Sequence, residues 1–65
     1  MPIVHINMFK GRTSEQRREM VKEVTDSMVK TLKCEKDAVR IIINEVEKED
    51  VSVGGILRSD KEKEL

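Results

Sequence analysis

The chain has 65 residues, 37% of them hydrophobic and only one, Phe9, aromatic, which is the size of one small domain with no room for a second. Its single cysteine excludes an internal disulfide, and with one histidine it falls short of the about four ligands of a structural zinc site. Thirteen Lys and Arg balance thirteen Asp and Glu, so the basic excess of a nucleic-acid binder is missing, and no apolar run approaches the roughly 20 residues of a membrane span.

Residues 2–9 read as a strand. The even positions Val4, Ile6 and Met8 form an apolar face behind Pro2, while His5 and Asn7 break up the odd face; this period of two marks a sheet with one well-buried side. Lys10, Gly11 and Arg12 make a turn. Thr13 opens a helix, because Thr13 and Gln16 match a capping box and Glu15 places an anion in the electropositive first turn. Met20, Val21, Val24, Met28, Val29 and Leu32 then recur at helical spacing, with charged residues between them, to an end near Lys33. A polar connection, 34–37, leads to a second strand over 39–46. Its isoleucines at 41, 42 and 43 argue for burial on both faces, as in parallel sheets. The acidic run 47–50 reads as a loop. Residues 51–57 read as a small hairpin in which Gly54-Gly55 supplies the positive φ angles of a two-residue turn. Residues 58–65, nearly all charged, are expected to form a frayed tail.

The expected class is α+β: a single domain over residues 1–65, built on one β-α-β unit with parallel strands and a short C-terminal hairpin. The crossover should be right-handed, as in about 98% of such units. Two parallel strands under one helix leave two open edges and one bare face. A core this small supplies only about 3–5 kcal/mol, so self-association is close to a structural requirement. The N-terminus lacks the layout of a signal peptide, and a cytoplasmic protein with a free thiol is expected.

Two arginines stand out. Arg40 interrupts the most hydrophobic segment and calls for a partner or a ligand; the plain alternative is an ion pair with a carboxylate such as Glu45 of a neighbouring copy. Arg12, in a Gly-Arg-Thr turn before a helix, fits an anion site formed with the helix end, although a solvated surface arginine is the commoner outcome. Pro2 is the third candidate. Removal of Met1 would expose a secondary amine, and an apolar setting with a nearby arginine would lower its pKa toward that of a working base. Otherwise Pro2 merely begins a strand, where a missing N–H costs nothing. His5 points away from the apolar face, Cys34 has no histidine beside it in sequence, and the methionines fill the core.

Taken together, Met-Pro-Ile at the start, Gly11-Arg12-Thr13 followed by Glu15-Gln16, Val39-Arg40 in a run of isoleucines, and Gly54-Gly55 near the end resemble 4-oxalocrotonate tautomerase and its small relatives in the tautomerase superfamily. The resemblance covers nearly the whole chain. It implies a hexamer built as a trimer of dimers and no cofactor. It also implies a small enol or dienol carboxylic acid, such as 2-hydroxymuconate, converted to its conjugated 2-oxo form. Pro2 would be the general base, Arg12 would bind one substrate carboxylate, and Arg40 of another subunit would bind the other carboxylate end and the 2-oxygen. Val51 stands where the best-known members place an aromatic residue against the substrate, which implies a smaller apolar wall without a ring and leaves the natural substrate open between 2-hydroxymuconate, another 2-hydroxydienoate and an enolpyruvate. Two alternatives remain: a non-catalytic oligomeric scaffold or binding module on the same fold, and a related dehalogenase or hydratase, for which the sequence shows no obvious acidic partner.

Overall fold

A computed structural model describes residues 1–63. Strand β1, Ile3–Phe9, is followed by helix α1, Ser14–Leu32, and by strand β2, Arg40–Val46, which lies parallel to β1. Short 3-10 turns at Lys36–Ala38 and Lys48–Asp50 flank β2. Strands β3, Ser52–Val53, and β4, Ile56–Leu57, form an antiparallel hairpin, and a short helix α2, Arg58–Lys63, follows.

Each element has a local cause. Thr13 accepts the N–H of Gln16 through its hydroxyl while Gln16 accepts the N–H of Thr13, so the capping box closes from both sides. Lys33, at φ 54° in the left-handed region, ends α1. Gly54 and Gly55 take φ of 62° and 84°, the double positive φ of a tight hairpin turn.

The register pairs Val4 with Ile41, Ile6 with Ile43 and Met8 with Glu45 on one face of the sheet. These six are half-buried, and α1 lies over that side, tied to it by an ion pair from Arg17 to Glu45 at 3.1 Å. Ile3 with Arg40, His5 with Ile42 and Asn7 with Asn44 share the other face, and all six are exposed. Burial of β2 on both faces is therefore not met within one chain, where Ile42 remains 40% exposed. Among the described residues, no element covers that second face.

Among the described residues none is fully buried. A folded monomer of this mass exposes about 4,200 Å², whereas this chain exposes 5449 Å². Its radius of gyration, 15.5 Å, exceeds the roughly 11 Å expected of a self-contained domain of this length.

The C-terminus differs from the frayed tail expected over 58–65. Arg58 donates its backbone N–H to the Val51 carbonyl at 2.8 Å, and a helix grows from that anchor. Arg, Lys and Glu are good helix formers, so a charged run indicates exposure rather than coil. Residues 64 and 65 lie outside the described residues. No described helix is long and apolar enough to cross a membrane.

Candidate active site

Pro2 stands at the start of the parallel pair. It is half-buried, continuing the alternation of Val4, Ile6 and Met8, and its carbonyl accepts the backbone N–H of Arg40 at 3.0 Å. Arg40 thus begins β2 directly beside Pro2, but the two side chains leave opposite faces of the sheet. The Arg40 side chain is exposed and has no ion-pair partner among the described residues. Glu45, one carboxylate considered for it, is held instead by Arg17 of the same chain.

Arg12 and Val51 follow the other end of the pair, where Phe9 and Val46 are register partners. Six steps along β1 at about 3.3 Å each separate the two ends by roughly 20 Å. Within one protomer, then, Pro2 and Arg40 lie together in the backbone, while Arg12 and Val51 lie too far away to touch the same small molecule.

Arg12 is exposed and borders two clefts. One, of about 240 Å³, runs along the first turns of α1 between Met8 and Met20. The other, of about 620 Å³, has Met8 and Phe9 among its lining and four cations around them: Lys10, Arg12, Lys48 and Arg58. The helix end contributes less to anion binding than the sequence suggests, because the capping box already engages the N–H groups of Thr13 and Gln16. The guanidinium of Arg12 is the available donor. Lys10 is paired with Glu47 at 2.9 Å, and that hydrogen bond, together with the Coulombic attraction of the same carboxylate, raises the lysine pKa above its ordinary value.

Val51 is half-buried and closes the 3-10 turn Lys48–Asp50. That turn is tightened by the Glu47 N–H donating to the Asp50 carboxylate at 3.0 Å. His5 is exposed on the open face of the sheet. Cys34 is half-buried with its thiol 3.8 Å from the Met28 carbonyl, a weak local contact. Among the described residues, no group of three or more His, Cys, Asp or Glu is arranged to hold a metal ion.

Pro2, Arg12, Arg40 and Val51 stand out in the sequence, whereas Arg17 and Arg58 do not, and Glu45 stands out only as a carboxylate for Arg40. The pairing of Arg17 with Glu45 had a signal. Arg17 precedes Met20 and Val21 by three and four residues, the spacing of the inward stripe of a helix, and Glu45 shares the parity of Ile41 and Ile43. Arg58 had none, since only the fold brings it beside Arg12.

Residues 2–61 match the tautomerase family, described as a tautomerase enzyme. A probable tautomerase of Lactiplantibacillus plantarum is 44% identical over 64 residues, covering 98% of this chain and all of its own. Among solved structures, a chain from the 4-oxalocrotonate tautomerase isozymes of Methylibium petroleiphilum superposes with a TM-score of 0.94 at 39% identity, covering 98% of this chain and 100% of that one. A heterohexamer 4-oxalocrotonate tautomerase from Chloroflexus aurantiacus superposes with a TM-score of 0.85 at 30% identity, covering 92% of this chain and 97% of the other.

Proposed function

The chain belongs to the tautomerase family, and on that footing we propose that it is an isomerase converting a 2-hydroxydienoate or a related enol acid to the conjugated 2-oxo acid. The observation that carries this reading is that the family match begins at Pro2 and takes in both arginines and Val51. With Met1 removed, the Pro2 nitrogen is a secondary amine. In its neutral form it accepts the proton of the 2-hydroxyl as electrons move from that oxygen into the diene, and it returns a proton to carbon. Nothing is gained or lost overall, so neither oxidant nor cofactor is called for.

The developing enolate oxygen needs a cation, and an arginine aimed at it lowers the barrier. Arg40 fills that role, and Arg12 holds the far carboxylate. Because one protomer keeps these arginines roughly 20 Å apart, the site draws them from different copies. The large exposed surface, the bare sheet face and the relative described as a heterohexamer support a closed homo-oligomer, with a trimer of dimers as the proposed arrangement.

Ultraviolet spectroscopy of ketonisation against a panel of 2-hydroxydienoates and enolpyruvates tests the reading. Wild-type protein should turn over at least one of these acids, and Pro2→Ala, which leaves a more flexible primary amine, should lose most of the rate. No ketonisation across the panel would contradict the proposal.

A further inference from the structure

We propose that Arg58 is a second guanidinium for the far end of the substrate, acting with Arg12 as a two-arginine clamp that selects acids carrying a carboxylate at the end remote from the 2-hydroxyl. This rests on the tautomerase reading above, in which Arg12 already holds the far carboxylate, and adds a second residue at that end.

The 620 Å³ cleft gathers four of the thirteen basic residues of a chain whose net charge is zero. Among its described lining no carboxylate appears. Lys10 already has a partner in Glu47. Neither Arg12 nor Arg58 has an ion-pair partner among the described residues. Met8 and Phe9 supply apolar surface beside these cations, so the cleft suits an organic chain with an anionic end rather than an inorganic anion alone.

Arg58 is held where the clamp needs it. Its backbone N–H donates to the Val51 carbonyl at 2.8 Å, which ties the first residue of α2 to the apolar wall of the proposed site. Two planar guanidiniums meeting one carboxylate can each donate a fork of N–H groups, a geometry that a lysine cannot reproduce. The anchoring bond belongs to the backbone and survives any side-chain change except proline. Arg58 is exposed, so its truncation leaves no cavity.

The test uses the intact oligomer and two unreactive probes, trans,trans-muconate and sorbate, in titration calorimetry. These acids share their unsaturated chain and differ in a far carboxylate against a methyl group. Wild-type protein should bind muconate more tightly than sorbate. Arg58→Ala should weaken muconate about tenfold, the loss expected for one charge-assisted contact, and leave sorbate within about twofold. Arg58→Lys should recover only part of the loss. Lys30→Ala removes the same charge about 25 Å along α1 from the Thr13 end, well beyond the roughly 8 Å screening length of physiological salt, and should change neither affinity. Equal wild-type affinities, no muconate binding, an unchanged muconate affinity in Arg58→Ala, or equal losses of both acids would each overturn the clamp. Neither probe carries a 2-hydroxyl, so the ketonisation assay fails or succeeds separately: dicarboxylate selectivity without turnover would remove the proposed reaction and leave the clamp standing.

Discussion

At the scale of single residues, the chemistry of Pro2 hangs on one covalent bond. Joined to Met1, its nitrogen is an amide with no available lone pair. Freed, it is a secondary amine in a half-buried position, and on the proposed mechanism the apolar surroundings and an arginine brought by another copy would disfavour its charged form. A lowered pKa means that the neutral amine, the form that accepts a proton, fills as pH rises through that value. The ketonisation rate should therefore climb with pH through that pKa and scale with the fraction of molecules lacking Met1. Intact-mass spectrometry and a pH–rate profile on one preparation check both, and full activity in molecules that keep Met1 would end the N-terminal base. Pro2, Arg12 and Arg40 stand out in the sequence as candidates because each is odd for its place: a proline after the initiator, an arginine in a turn, a charge among isoleucines. Arg58 is ordinary in its local sequence, one charge in a charged run, and only the bond from its backbone to Val51 gives it a place.

At the scale of elements, the clearest local signal was the start of α1. Thr13 and Gln16 satisfy each other's backbone N–H groups at 3.1 and 3.0 Å, and the turn they close carries Arg12 immediately before it. Thr13→Ala should cost about 1 kcal/mol per chain, read as a lower denaturant midpoint at fixed protein concentration, since an oligomer's apparent stability depends on concentration. An unchanged midpoint would show that the cap is redundant. Period-two alternation located β1 and the run of isoleucines located β2, each to within a residue, and Gly54-Gly55 located the hairpin. Helix α2 was not legible for a physical reason. A helix of six residues is marginal by itself, and what stabilises it is an anchor seven positions back at Val51. The isoleucine run of β2 was informative in a different way. Its composition called for two covered faces, and the chain covers one.

At the scale of the whole molecule, that uncovered face and the separation of the site residues point the same way. The chain exposes roughly 1,200 Å² more than a monomer of its mass should, comparable with the area that each partner contributes to a stable interface. Arg12 and Arg40 of one copy lie at opposite ends of the parallel pair, so a site holding both must take them from different copies. That sharing is the claim on which the mechanism depends, and subunit mixing tests it most directly. Arg12→Ala and Arg40→Ala chains, each nearly inactive alone on a dicarboxylic dienol, are unfolded together in equal amounts, refolded and assayed for ketonisation. Random assembly of shared sites gives both intact arginines at about a quarter of them, so the mixture should recover about that share of wild-type activity. A mixture no more active than the two variants assayed apart would place both arginines of each site on one chain and contradict the account.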